Sequence, residues 1–460
     1  MEKIKFGTDG WRAIIDEDFD DLNVKRASKA IAKYVLDNFG LDKKILIGFD
    51  PRRKADYFAK LAANEFKNAG FQVLLSEKVV PTPVLAYSAK FQNACAIMFT
   101  ASHNPPEYLG MKFIPDYAGP ATNEITAEIV SNLDKDLPEQ ICGNIVLFDF
   151  STDYIDHIEK LIDFEKITKS GIKVNYDALY GADGEILTTL FKKHNIQCDA
   201  ENLEYDPNFG GKLPEPAEKF LTELKEKCKK TGNIGFSNDG DGDRFALIDE
   251  NGLFVSANEV IAILLKHLKV FKHFEGKLAK TVAGSLMLDI YAKKNNVEIV
   301  ETPVGFKWVG KAMREHDIII GGEESGGLSI KGHIPEKDGI IANLLIAEAV
   351  AYSGKSVAEL RADIVKEAGC TFINKRNDLK LENEELAKSA LQTFKSVSKI
   401  GNFTVIRKND ADGIKLYLND NISSILVRKS GTEPLLRIYC ESDSEEKIQK
   451  IFFSIDNLLV

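Results

Sequence analysis

Four short stretches of this 460-residue chain carry residue types and spacings that could do chemistry. Thr100-Ala101-Ser102-His103-Asn104-Pro105-Pro106 places a hydroxyl at the end of an apolar run, where α/β sheets gather ligands. A lone serine is a poor nucleophile and needs a base or a pre-attached group. Lys112, ten residues on in Gly110-Met111-Lys112, could neutralise an anion there. An Asn-Pro turn capped by a serine explains this stretch equally well. Asn238-Asp239-Gly240-Asp241-Gly242-Asp243-Arg244 sets three carboxylates at every second position. Their repulsion calls for a cation, and three carboxylates leaving room for a phosphate oxygen suit Mg²⁺. A solvated acidic turn is the plainer alternative, although the apolar run 234–236 feeds straight into it. An EF-hand is a sharper rival, because Glu250 is twelfth counting from Asp239. Its sixth position is Arg244 instead of glycine, and the residues after Arg244 read as a hairpin around Asn251-Gly252.

Gly321-Gly322-Glu323-Glu324-Ser325-Gly326-Gly327 offers acceptors on a flexible loop that suit sugar hydroxyls, or else it is a common glycine-acid surface turn. Arg428-Lys429-Ser430-Gly431-Thr432-Glu433-Pro434, with Arg437 following, combines hydroxyls, a closely approachable amide and forked donors into a phosphate cradle. A structural turn with a surface arginine is the alternative. Together the four stretches supply a serine, a divalent-cation site, a polyol loop and a remote phosphate clamp. Those are the parts needed to move phosphate on and off a phosphosugar.

The elements that must position these loops alternate apolar strand, polar loop and helix. Residues 44–49 read as a strand running into Asp50-Pro51-Arg52-Arg53, followed by a helix over 57–68 and a strand over 72–76. Residues 94–101 form a further buried strand that the two prolines stop. The alternation recurs with strands at 171–176, 281–283, 298–301 and 317–320 and helices at 184–194, 286–294 and 307–314, which implies largely parallel α/β layers. The last ninety residues change style, with strands at 403–407, 414–418, 424–428 and 435–441 and a helix over 444–457, an α+β tail. Domain boundaries fall near residues 147, 252 and 370.

Bulk properties narrow the class. A net charge of -10 without a basic cluster argues against nucleic acid as a partner. The start of the chain lacks a secretory apolar core, and the longest apolar stretch, 340–351, is too short for a membrane span and reads as a buried amphipathic helix. Six dispersed cysteines point to a reducing cytoplasm over a disulfide framework or zinc site.

Taken in order, Phe6-Gly7-Thr8-Asp9-Gly10-Trp11-Arg12, TASHNPP with Gly110-Met111-Lys112, DGDGDR, GEESGG and RKSGTEP resemble the α-D-phosphohexomutases, the phosphoglucomutase and phosphomannomutase superfamily. The resemblance spans nearly the whole chain. It implies four domains around a central cleft: α/β units over 1–147, 148–252 and 253–370, with mixed, mainly parallel sheets, and a smaller C-terminal α+β domain over 371–460. It implies that Ser102 is phosphorylated and that Mg²⁺ is held by this phosphoserine with Asp239, Asp241 and Asp243. Arg12, His103 and Lys112 would stabilise charge and move protons. Glu323, Ser325, Lys307 and Arg244 would contact the sugar, and Arg428, Ser430, Gly431, Thr432 and Arg437 the non-reacting phosphate. The partners would be small sugar phosphates, with glucose 1,6-bisphosphate as activator and intermediate. Glu324 and Gly327, with Thr302-Pro303-Val304-Gly305-Phe306-Lys307-Trp308, look closer to the phosphoglucomutases, whereas RKSGTEP looks closer to mannose- and glucosamine-phosphate mutases. Glucose is the first expectation and mannose or glucosamine the second. A Mg²⁺-dependent sugar phosphatase and a non-catalytic sugar-phosphate-binding protein are further alternatives. Gly327 removes one family candidate for acid–base work, for which His333 or Lys307 could substitute.

Overall fold

The computed structural model describes residues 4–7, 10–138, 141–429 and 435–458. Three successive mixed sheets share one four-strand plan, with neighbours in the order second, first, third, fourth. In the first sheet these strands are Ile45–Phe49, Gln72–Ser76, Cys95–Phe99 and Tyr108–Ile114. In the second they are Lys173–Asp177, Gln197–Glu201, Ile234–Asn238 and Phe245–Ile248. In the third they are Lys277–Thr281, Ile299–Thr302, Ile318–Glu323 and Gly327–Ile330. Each time the first strand runs parallel to the second and third, and the fourth returns antiparallel beside the third. The repeat therefore lies in topology and not in sequence identity. The fourth sheet is antiparallel throughout, from Ile373–Lys380 at one edge to Lys399–Ile400 at the other.

Burial explains the parallel strands. Ile45–Phe49, Cys95–Phe99 and Ile234–Asn238 are buried at every position because helices cover both faces of the sheet, so they read as continuous apolar runs. Pro105 and Pro106 cannot extend the ladder, and the chain turns there through Asn104 N–H to Ala101 O (3.0 Å) and Tyr108 N–H to Pro105 O (3.0 Å).

Several expectations shift. The strand placed at 281–283 is Lys277–Thr281, and a turn closed by Gly284 N–H on Thr281 O (2.9 Å) follows it. The stretch read as amphipathic is the helix Gly339–Ser353, buried on nearly every side between the second and third units. The glycine-acid loop is a tight hairpin, since Ile318–Glu323 continues as a strand through Gly321 and Gly322 and Gly327 opens the return. The strand Ile373–Lys380 and the helix Glu384–Ser396 had no counterpart in the sequence reading. Among the described residues no single helix is long and apolar enough to cross a membrane.

Candidate active site

The triplicated topology does the positioning. The Ser102 loop, the Asp239–Asp243 loop and the Glu323–Gly327 hairpin all join the third strand of a unit to its fourth. Three different chemistries thus occupy one topological position at the carboxyl end of a buried strand, and the units bring them together.

Ser102 is 2% exposed and sits at φ 51°, the left-handed region that non-glycine residues seldom occupy. Its Oγ donates to Asp239 Oδ2 at 2.6 Å and lies 3.2 Å from His103 Nδ1. Asp239, Asp241 and Asp243 are wholly buried, and each offers a carboxylate oxygen within 4.8 Å of the others. Burial raises the Asp239 pKa, and the neighbouring Asp243 adds to it. Thr82, from the first unit, donates its hydroxyl to Asp241 Oδ2 at 2.6 Å and its backbone N–H to Asp241 O at 2.9 Å. Three hard oxygen ligands, buried together and crowded by like charge, fit a divalent cation such as Mg²⁺.

Cations ring this acidic floor. Lys112, buried in the strand Tyr108–Ile114, has its Nζ 3.6 Å from Asp243 and 3.2 Å from Glu336. Lys337 Nζ lies 3.0 Å from Asp243. Burial would lower the Arg244 pKa, but Asp239, Asp243 and Glu323 outweigh it and raise the guanidinium. Above the floor opens a cleft of about 530 Å³, lined by Arg12 and His103 from the first unit, Arg244 from the second, and Lys307, Glu323, Ser325 and Lys337 from the third. Arg12 Nη1 donates to Asn104 Oδ1 at 2.6 Å, and Lys307 Nζ donates to Asn123 Oδ1 at 2.7 Å. Glu323 is buried at the cleft wall and accepts from Ser325 Oγ at 2.7 Å. Burial raises its pKa, against the pull of Lys337. Glu324 accepts from Thr281 Oγ1 at 2.8 Å.

His333 does not reach the cleft. It is buried, 2.8 Å from Asp338 and 3.0 Å from His157, at a junction of three units where Tyr87 stacks on His157 at 4.3 Å. This position corrects its expected role as a substitute acid or base. Lys337, four residues later, reaches the cleft instead. A Cβ on Gly327 would come 2.5 Å from Lys337 Cδ, so the bare glycine makes room for the lysine stem. The sequence reading passed over Lys337, and also Asp50, Arg52, Thr82 and Glu336. The one signal for Asp50 and Arg52 was their place at the end of a fully apolar strand.

Ser430, Gly431 and Thr432 lie outside the described residues. Arg428 and Arg437 flank that stretch and are register partners on adjacent antiparallel strands. Arg428 Nη2 donates to Asp412 Oδ2 at 2.7 Å, and the same oxygen accepts the N–H of Val304 at 3.3 Å. Val304 lines the cleft, so the fourth unit is fastened to the cleft rim beside its paired arginines.

Comparison with known proteins accounts for all four units. Residues 3–139, 152–252 and 256–368 match phosphoglucomutase/phosphomannomutase alpha/beta/alpha domains I, II and III, and residues 379–458 match the C-terminal domain of the same proteins. The chain is 30% identical over 477 residues to a phosphoglucosamine mutase of Clostridium botulinum (strain Loch Maree / Type A3), covering 99% of this chain and 98% of that one. It is 30% identical over 452 residues to a phosphoglucomutase/phosphomannomutase of Thermococcus kodakarensis, covering 97% and 96%. A crystal structure from Thermus thermophilus, provisionally named a phosphomannomutase, superposes with a TM-score of 0.86 at 27% identity over 100% of this chain and 99% of that one. The chain belongs to the phosphoglucomutase/phosphomannomutase family and is an α-D-phosphohexomutase.

Proposed function

We propose that the enzyme interconverts hexose 1-phosphate and hexose 6-phosphate through a phosphorylated Ser102. One observation carries this reading: the Ser102 hydroxyl is aimed 2.6 Å from Asp239, within a buried trio of carboxylates beneath a cleft walled by cations. Asp239, Asp241 and Asp243 would hold Mg²⁺ with a phosphoserine oxygen, and the ion would neutralise phosphoryl charge. Ser102 then gives its phosphoryl group to the unphosphorylated hydroxyl of the bound sugar. The P–O bond to the serine breaks, a P–O bond to the sugar oxygen forms, the sugar hydroxyl gives its proton to a nearby base, and the departing Ser102 Oγ takes up a proton. The resulting hexose 1,6-bisphosphate turns over in the cleft and returns its other phosphoryl group to Ser102 Oγ. Glucose 1,6-bisphosphate would prime an unphosphorylated enzyme in the same way.

Such transfer depends chiefly on positioning and charge neutralisation. Arg12, Lys112 and Lys337 supply positive charge beside the reacting group, and His103, 3.2 Å from Ser102 Oγ, is placed to carry the proton. Glu323 and Ser325, with Arg244 and Lys307, hold the sugar hydroxyls. Arg428 and Arg437, with Ser430, Gly431 and Thr432, grip the phosphate that is not reacting. One clamp able to take either end of the sugar suits a substrate that binds in two orientations. The divisions of the chain at residues 147, 252 and 370 belong to the same proposal.

For the sugar, relatives named as phosphoglucosamine mutases support glucosamine phosphate above the glucose that Glu324 and Gly327 suggested. Assaying glucosamine, glucose and mannose 1-phosphates side by side, with Mg²⁺ and a bisphosphate primer, tests this choice. The highest kcat/KM is expected with glucosamine 1-phosphate. A higher value with glucose or mannose overturns the preference, and inorganic phosphate released as fast as isomer forms overturns the mutase reading.

A further inference from the structure

Arg52 follows the first strand of the first unit, is 3% exposed, and does not line the cleft. Its guanidinium nonetheless serves the serine loop almost exclusively. Nη2 donates to Ser102 O at 2.6 Å and Asn104 O at 2.7 Å, and Nη1 donates to Pro105 O at 2.7 Å and Tyr108 O at 3.0 Å. Nε donates to Asp50 Oδ2 at 3.2 Å, and the guanidinium carbon lies 4.9 Å from the centroid of the Phe209 ring, which belongs to the second unit. Asp50 Oδ2 also accepts the Thr100 hydroxyl at 2.6 Å, and Thr100 Oγ1 accepts the N–H of Ser102 at 2.8 Å. The N–H and the carbonyl of Ser102 are therefore tied to the same buried ion pair, one through Thr100 and the other directly.

This double tie addresses a specific difficulty. Ser102 is at φ 51°, a conformation an L-residue keeps only when its surroundings over-determine it. In this conformation Oγ reaches Asp239 Oδ2 at 2.6 Å. Buried ion pairs are weak sources of stability, and burial raises the Asp50 pKa to about 6 against the opposing pull of Arg52 and Thr100. The arrangement is better suited to fixing geometry, because a planar guanidinium presents several coplanar donors that an ammonium cannot imitate.

We propose that Asp50, Arg52 and Thr100 form a positioning brace that holds Ser102 in its left-handed backbone and sets the direction in which it gives and takes phosphate. The proposal rests on Ser102 being the phosphoryl carrier. The test compares Arg52→Lys, Thr100→Val and Ser102→Ala with the parent by steady-state kinetics, with folding followed by circular dichroism. Misdirecting a reacting atom by about an ångström costs on the order of a hundredfold. Arg52→Lys should therefore lower kcat about a hundredfold, and Thr100→Val, which keeps the shape and exchanges the hydroxyl for a methyl, about tenfold. KM for the hexose phosphate should stay within about twofold of the parent, since the sugar and distal-phosphate contacts lie on other loops. Thr100→Val decides alone should Arg52→Lys fail to fold. A folded Thr100→Val with parental kcat, or a loss confined to KM, overturns the brace. An active Ser102→Ala removes carrier and brace together, whereas an inactive Ser102→Ala beside a fully active Thr100→Val removes the brace alone.

Discussion

Ser102 works in a setting of unusually dense charge. Three carboxylates with no exposed surface share one small volume, and two lysines lie within 3.6 Å of Asp243, of which Lys337 lines the cleft. In an apolar interior this arrangement is costly unless a cation completes it. If these carboxylates hold Mg²⁺ as proposed, removing one should raise the Mg²⁺ concentration for half-maximal activity by about tenfold or more, roughly 1.4 kcal/mol of binding per decade. Asp241→Asn, titrated with Mg²⁺, measures this; an unchanged Mg²⁺ requirement would show that Asp241 holds no metal. At this scale the gathering of the Ser102 loop, the acidic loop and the cleft glutamate was legible, because hydroxyls and carboxylates between glycines stand out after apolar runs. Lys337 was not. It lies in an irregular link between a strand and a helix, where side-chain direction has no period to follow, and His333 drew attention by residue type alone. The Asp50–Arg52 pair showed only its place after an apolar strand, because the carbonyls that Arg52 grips lie fifty or more positions away.

The helix Gly339–Ser353 shows how an element is fitted to the site. Its first residue lies against the acidic loop, so closely that a Cβ on Gly339 would come 2.2 Å from Asn238 Nδ2 and 2.3 Å from Arg244 O. The backbone there cannot yield cheaply. Gly339→Ala should cost about 2–3 kcal/mol of stability by overpacking and lower activity with it, as urea unfolding beside the mutase assay would show. A change within about 0.5 kcal/mol would mean that the contact relaxes. The same elements show which parts of a fold a sequence displays. Buried parallel strands announce themselves as apolar runs between turn residues, and most were located within a residue or two. The edge strand Ile373–Lys380 is polar and largely exposed along its length, and only its ladder with Leu435–Ser442 makes it a strand. That information lies some sixty residues away, beyond any local pattern.

Across the whole molecule, the fourth unit meets the third through a buried polar junction. Lys280 pairs with Asp289 and Glu301, Tyr417 donates to Glu301 at 2.7 Å, Lys415 donates to Gly284 O at 2.8 Å, and Glu441 accepts the N–H of Leu286 at 2.7 Å. Burial, reinforced by Lys280, lowers the Lys415 pKa from its ordinary 10.5 to about 8. The folded protein thus releases this proton near pH 8, whereas the unfolded chain keeps it to pH 10.5. Between those limits the unfolded state binds more protons, so the group's contribution to stability rises with pH and is lost again as pH falls to 8. Relative to Lys415→Met, the parent should gain up to about 1.4 kcal/mol per pH unit in that window. Urea unfolding of both proteins at pH 8, 9 and 10 measures the difference, and parallel curves would contradict the assignment.

The proposed mutase reaction stands on one seryl oxygen carrying the phosphoryl group. Intact-mass measurement before and after incubation with glucose 1,6-bisphosphate and Mg²⁺ addresses it directly. One added phosphoryl group is expected on the parent, located on Ser102, and none on Ser102→Ala, which should also lose mutase activity. Equal phosphorylation of the two proteins, or parental activity without that hydroxyl, would contradict it.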